Sequence, residues 1–221
     1  MNGFPSVEVL IHAGRQRVPY PVALEWMHIR AESVRAGGVE AVALLEHDPV
    51  YTLGARAARA SLRVPESSLP APLVEADRGG DVTWHGPGQL VLYPVLDLRI
   101  RGLRAGDYVR ALESVAIDTI GAWGIEGVRI PGRPGVWVDG TKIAAVGVRI
   151  DRGISRHGLA LNVAPDLGWF DAIVPCGIDG AGVTSMAALR GEAPPLPSVA
   201  EVMAKAFSQT FGLVRTEAAI A

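Results

Sequence analysis

Between Pro21 and Ala36, Leu24, Met27, Ala31 and Val34 recur at helical spacing and the pattern stops at Gly37-Gly38, which predicts a first amphipathic helix. The apolar run Val39 to Leu45 reads as a buried strand. Pro49 to Gly54 reads as a second extended piece, leading into an Ala/Arg-rich loop at 55–60. Pro65 to Pro72 is polar and proline-broken, so it is a loop. Leu90 to Leu98 is strongly strand-like, and Pro94 inside it has no N–H for a ladder, which predicts a sheet edge or a bulge. From Asp107 to Trp123, Val109, Leu112, Val115 and Ile120 share one face, giving a second helix. Val136 to Val138 and Lys142 to Val148 flank Asp139-Gly140, a pair that accepts positive φ at both turn positions; a tight hairpin follows, with Lys142 beginning the returning strand. Ile154 to Val163 is a further strand. A last helix is expected from Ser198, where Ser198 and Glu201 have capping-box spacing. Strands and helices interleave without a repeating βαβ unit, so the fold class is α/β of the α+β kind: a central mixed, largely antiparallel sheet flanked by helices.

Composition narrows this further. At 221 residues, 49% hydrophobic and 20% charged, the chain suits one globular domain over 1–221 with a sizeable core. A net charge of -2 argues against general nucleic-acid binding. No stretch approaches 18 uninterrupted apolar residues, and the start lacks a basic segment followed by an apolar one, so no membrane partner and a cytoplasmic setting are expected. The five histidines have no metal-ligand spacing, and one cysteine excludes an internal disulfide or a multi-cysteine zinc site. No metal is expected.

Four segments carry candidate chemistry. Arg78 to Gln89 packs four glycines, a proline, an arginine and a histidine into twelve positions. It fits neither a P-loop nor a dinucleotide fingerprint; it reads as a tight loop or as a backbone cradle along a substrate, with Arg78 or His85 adding a charge or hydrogen bond. Cys176 sits between Pro175 and Gly177, where the backbone is restricted and bulk is removed. A lone cysteine is a common core residue, and if it is functional the chemistry left to it is nucleophilic. His157 precedes Gly158 at what reads as a strand edge open to a ligand, while His12, His28 and His47 read as surface or packing residues. Only Lys142 and Lys205 are lysines among 21 basic residues, and Lys142 is followed by an apolar small-residue strand that would desolvate its ammonium.

Taken together, the segment 78–89, Lys142 to Gly147, His157 to Val163 and Pro175-Cys176-Gly177 with Val183-Thr184-Ser185 resemble the lipoyl(octanoyl) transferases in order and spacing, over about His47 to Met186. The resemblance implies a fold shared with biotin and lipoate protein ligases. It implies transfer of an octanoyl group from octanoyl-acyl carrier protein to a lysine of lipoyl domains, as in 2-oxoacid dehydrogenases and the glycine cleavage H protein, by a monomer. By position, Cys176 would be the acyl-thioester nucleophile and Lys142 the residue that tunes it. Arg78, Gly79, Gly80, Asp81, Val82, Thr83, Trp84 and His85, with Ala145, Val146, Gly147, Gly158, Leu159 and Ala160, would line the substrate.

The implied chemistry needs no ATP, metal or organic cofactor, because thioester exchange is nearly balanced and thioester-to-amide conversion is downhill. Lowering a thiol pKa of about 8.5 by two units raises the thiolate fraction roughly 25-fold but lowers nucleophilicity about 6- to 10-fold, so Lys142 must do more than acidify sulfur. The rivals are an ATP-dependent lipoate or biotin ligase, a silent acyl-group or lipoyl-domain binder, and a cysteine hydrolase using His85 or His157 as base.

Overall fold

The computed structural model describes residues 6–55, 61–174 and 182–217. In chain order these form β1 (Ser6–Ile11), β2 (Arg17–Val18), α1 (Tyr20–Arg35), β3 (Glu40–His47), β4 (Val50–Leu53), β5 (Leu73–Glu75), β6 (Val82–His85), β7 (Gln89–Val95), α2 (Ala105–Gly121), β8 (Val128–Ile130), β9 (Arg133–Val138), β10 (Thr141–Asp151), β11 (Ile154–Asn162), α3 (Met186–Arg190), α4 (Leu196–Phe211) and β12 (Val214–Glu217). The larger sheet has the order β12-β1-β3-β7-β11-β10-β9-β8, with β2 beside the end of β3; a small sheet has the order β5-β4-β6. β1 runs parallel to β12 and β3, while β3, β7, β11, β10, β9 and β8 pair antiparallel in turn. The sheet is mixed and mostly antiparallel, as its sequence pattern implies.

Both faces of the large sheet are covered. Val42 and Leu44 of β3, Leu90 and Leu92 of β7, and Leu159 and Leu161 of β11 share a core with Leu112, Val115 and Ile120 of α2 and Met203 and Phe207 of α4. The residues between them, Ala43, Leu45, Val91, Tyr93 and Ala160, meet Ala23, Met27, Ala31 and Val34 of α1 on the opposite side. Two-sided burial makes these strands read as continuous apolar runs, and each buried Leu, Val or Phe stabilises the layers by about 1.5–3 kcal/mol. The β9–β10 turn is the expected one, with Asp139 and Gly140 at φ 47° and 77°.

Three expectations are corrected. α4 begins at Leu196 with Pro195 at its N-cap and no side-chain cap bond, so the Ser198–Glu201 capping box does not form; the prolines set the helical backbone before Ser198 is reached. Val109 lies outside the buried face of α2, whose core side is Tyr108, Leu112, Val115, Ala116 and Ile120. Pro94 lies in the middle of the sheet, not at an edge.

The local chemistry accounts for that proline. The β7–β11 ladder runs from Gln89↔Asn162 to Leu92↔Leu159 and stops; carried on, the same register sets Pro94 opposite His157, whose φ is 58°. Ser155 closes the gap: its Oγ donates to the Pro94 carbonyl at 3.0 Å and accepts the Leu96 N–H at 3.0 Å, while its own N–H reaches the Leu96 carbonyl at 2.9 Å. A buried hydroxyl thus satisfies the Pro94 carbonyl and the Leu96 N–H where the β7–β11 ladder has stopped. Ser155→Ala is therefore expected to lower unfolding free energy by about 1–3 kcal/mol in urea titrations, because both backbone groups lose their buried partner; a change within about 0.5 kcal/mol would show that Ser155 does not serve them.

Candidate active site

The glycine-rich segment is a tethered wall, half strand and half turn. Val82–His85 is β6, paired antiparallel with β4 from Val50↔His85 to Leu53↔Val82. Arg78 is 7% exposed. Its Nε and one terminal nitrogen bond Thr52 Oγ1 at 3.1 and 2.7 Å, the same nitrogen reaches the Thr52 carbonyl at 2.6 Å, and the other bonds the carbonyls of Asp81 and Gly79 at 2.8 and 3.1 Å. The tight loop expected here is in part a strand, and a buried guanidinium with five donors ties the turn to β4 through the carbonyls of Thr52, Gly79 and Asp81. Gly79 N–H then bonds the Val148 carbonyl at 2.9 Å, and a Cβ at Gly147 would lie 2.8 Å from the Gly79 carbonyl. The backbones of the two sheets touch here.

Where they touch, Arg78, Gly79, Gly80, Asp81, Val82, Thr83 and His85 join Ala145, Val146, Gly147, Gly158, Leu159 and Ala160 around a cavity of about 50 Å³, closed by Val91, Tyr93 and His157. Trp84 is the exception. It points to the other face of β6, stacked on Trp169 at 5.4 Å and edge-on to Phe170, and is fully buried. His157 and Gly158 are likewise not at an edge: β11 lies between β7 and β10, and a Cβ on Gly158 would come 2.1 Å from the Leu92 carbonyl. That glycine admits a neighbouring backbone. A second cavity of about 480 Å³ shares Gly79, Gly80, Asp81, Val146 and Gly147 with the first and is also bordered by Val109, Arg133, Pro134 and Lys142.

The polar groups behind the small cavity form two chains that sequence reading missed. The Thr184 carbonyl can only accept, so Asn162 Nδ2 donates to it at 3.0 Å; Asn162 Oδ1 then accepts from Gln89 Nε2 at 2.9 Å, and Gln89 Oε1 accepts from His85 Nδ1 at 2.6 Å. His85 therefore carries its proton on Nδ1. In the second chain His47 Nδ1 donates to the Val18 carbonyl at 2.7 Å, and its Nε2 accepts from Tyr93 Oη at 2.9 Å. His157 Nε2 donates to Asp77 at 2.8 Å, and that hydrogen bond, ahead of the Arg156 charge, holds the Asp77 carboxyl well below its usual range.

Lys142 follows Thr141 at the start of β10 and is 6% exposed. Its Nζ donates to the Pro134 carbonyl at 3.0 Å and lies 4.7 Å from the centroid of the Trp137 ring, opposite it in the ladder. Its backbone N–H and carbonyl bond the Gly182 carbonyl and the Thr184 N–H, each at 2.9 Å. Cys176 lies outside the described residues. The segment that contains it is flanked by Val174, bonded to the Ser61 carbonyl at 2.8 Å, and by Gly182, held by Lys142. Among the described residues no group of three His, Cys, Asp or Glu side chains could hold a metal ion, and no helix is long and apolar enough to cross a membrane.

The lipoyl protein ligase A/B catalytic domain model matches residues 19–208. An octanoyltransferase of Acidiphilium cryptum is 46% identical over 203 residues, 87% of either chain. The chain belongs to this family, among its octanoyltransferases. It is an acyltransferase. Octanoyltransferases of Rubrobacter xylanophilus and Chloroflexus aggregans are 45% and 42% identical, covering 88% and 89% of this chain and 90% and 92% of theirs. A crystal structure of lipoate-protein ligase A bound with ATP superposes with TM-score 0.75 at 15% identity, over 98% of this chain and 90% of that one. A bi-partite lipoate protein ligase from Thermoplasma acidophilum gives 0.71 at 14% identity, over 100% and 88%. At these identities the likeness establishes the lipoate protein ligase fold alone.

The buried histidines give the octanoyltransferase a defined acid response. Burial holds His47 down at about 4; burial, then the charges of His47 and Arg78, hold His85 well below its ordinary value; burial outweighs Asp77 in lowering His157. In the unfolded chain they titrate near 6.5, so below that pH the unfolded state takes up protons that the folded state does not. Stability is complete above about 6.5 and is lost as pH falls toward 4. His47 alone contributes about 2 kcal/mol of loss between pH 7 and pH 5, and the other two add to it. Urea unfolding at the two pH values should show this loss, and identical free energies would mean the cluster is not neutral.

Proposed function

We propose that the chain moves an octanoyl group from octanoyl-acyl carrier protein to a lysine amine of a lipoyl domain through a thioester on Cys176, with Lys142 serving both half-reactions. The observation that carries this is the environment of Lys142. Its amine is taken out of water between the Pro134 carbonyl and the Trp137 indole face, and its backbone grips both ends of Gly182–Thr184, which starts six residues past Cys176. A cation so placed supports a thiolate nearby, and an amine beside the thioester can receive the proton that the acceptor releases.

The steps balance. The Cys176 thiolate attacks the octanoyl carbonyl carbon and the carbon–sulfur bond to the donor breaks. The departing thiolate takes a proton from the Lys142 ammonium. The acceptor amine then attacks the Cys176 thioester, the carbon–nitrogen bond forms, the Cys176 thiolate leaves, and neutral Lys142 takes the proton released by the amine. The resting ion pair is restored without ATP. The cavity between Gly79 and Gly147, with Val91, Ala145 and Ala160 aligned on its sheet wall, supplies apolar surface for the acyl chain, and burying it at about 0.8 kcal/mol per methylene contributes about 5 kcal/mol to capture.

Octanoyl carrier protein alone is expected to add one hydroxylamine-labile octanoyl group to the intact protein, and octanoate with ATP to add none. Cys176→Ser should carry no labile thioester. Lys142→Arg keeps a cation that cannot release its proton, so it should acylate slowly and hold the group when offered a lipoyl domain. Absence of the adduct, or transfer from acylated Lys142→Arg at the wild-type rate, overturns the two-step mechanism or the dual role of Lys142 respectively.

A further inference from the structure

We infer that Glu113 is a positioning residue for Lys142, acting through the single peptide group that joins Pro134 to Gly135. Glu113 lies on the sheet-facing side of α2, 5% exposed, in a helix whose other buried residues are nearly all apolar. Its Oε1 accepts the Gly135 N–H at 2.9 Å. The carbonyl of that same peptide, on Pro134, accepts the Lys142 ammonium at 3.0 Å. The peptide is trans, so its N–H and C=O point in opposite directions. One peptide dipole therefore stands between a carboxylate and an ammonium, its positive end toward the first and its negative end toward the second.

The backbone is shaped to allow this. The β9–β10 register shifts between Lys142 and Ala144, pairing them with Trp137 and Val136, and the ladder does not continue to Gly135. The irregularity leaves the Gly135 N–H for Glu113 and re-aims Lys142, as bulges beside active sites do. Gly135 has φ 120°, and a Cβ there would come 2.4 Å from the Ala144 carbonyl and 3.4 Å from Lys142 Cε, so the peptide has one seat and only glycine fits it.

An uncharged acceptor would satisfy an N–H as well. A buried carboxylate carries a desolvation cost that hydrogen bonds and charge partners together offset, and the cation bonded to it directly is Arg129, whose Nε is 3.1 Å from Oε2 and whose side chain is 40% exposed. The second cation is Lys142, beyond the peptide. Glu113 and Lys142 thus orient one carbonyl from both sides, and that carbonyl fixes where the ammonium sits.

The inference rests on Lys142 acting in transfer, and a double-mutant cycle separates the two claims. Glu113→Gln keeps an oxygen for the Gly135 N–H and removes the charge. It is expected to lower the single-turnover acylation rate about 10-fold or more with KM for octanoyl carrier protein within about twofold, since a catalytic group is misplaced while the donor site is untouched. In a Lys142→Ala background the same change should cost nothing further. Because Lys142 and Lys205 are the only lysines, ¹⁵Nζ labelling gives two signals, and Glu113→Gln should move that of Lys142 and speed its proton exchange while leaving Lys205 in place. Equal losses in both backgrounds would make Glu113 merely structural. A wild-type rate in Glu113→Gln beside a crippled Lys142→Ala overturns the inference and leaves the role of Lys142 standing; a wild-type rate in Lys142→Ala overturns that role itself. Should Glu113→Gln not fold, Glu113→Asp, which keeps the charge and withdraws it from the peptide, takes its place in the cycle, where a loss confined to the Lys142 background supports the inference and equal losses in both overturn it.

Discussion

The arrangement turns on the contact of Gly79 with Val148 and Gly147, where two sheets approach with no side chain between them. A small sheet could dock on a large one by interleaving side chains, but that would fill the space between. Here Arg78 braces the turn from inside, bonded to Thr52, Gly79 and Asp81, and the Gly79 N–H makes the joint to the Val148 carbonyl. Backbone-to-backbone contact at one point leaves a slot on either side of it. The two cavities share Gly79, Gly80, Asp81, Val146 and Gly147, which include both glycines of the contact, so the joint is also a wall of each cavity.

That economy explains what lies behind the wall. An apolar cavity is poorly backed by charges free to titrate, yet β6, β7 and β11 bring His85, Tyr93 and His157 to this one, with His47 of β3 behind His85. His47 is committed to a carbonyl and a hydroxyl, His85 to an amide and His157 to Asp77, and burial keeps the imidazoles neutral. The chain from His85 through Gln89 and Asn162 ends on the Thr184 carbonyl, one residue's span from the N–H that Lys142 holds. The back of the small cavity and the surroundings of Lys142 are thereby tied into one network.

Much of this is legible in the sequence because it is local. Two-sided strands show as apolar runs, Asp139-Gly140 announces its own turn, and Lys142 stands out as one of two lysines. What stays hidden depends on partners far along the chain. Pro94 is a strand-breaker until Ser155, 61 residues on, supplies its hydroxyl. β6 reads as loop because glycines crowd it, although Val82 and Trp84 alternate with Thr83 as a half-buried strand would. Trp84 goes with its motif onto the substrate side when position alone is considered, whereas strand alternation turns it to Trp169. Glu113 gives no signal at all, since a carboxylate on a helix is ordinary and the N–H it serves is 22 residues away.

The same distinction bears on how a lysine can be both buried and useful. Direct pairing with a carboxylate would hold the ammonium firmly in its charged form and compete with any thiolate for it. A bare apolar pocket would instead favour the neutral amine and leave it undirected. An interposed peptide offers a further arrangement: Pro134 gives the ammonium a carbonyl, Trp137 a ring face, and Glu113 contributes its field through the peptide without occupying a hydrogen-bonding position on Nζ. The bulge at Lys142–Ala144 and the glycine at 135 are what make room for that peptide, so the backbone irregularity of β9 and β10 and the electrostatics of the lysine have a common cause.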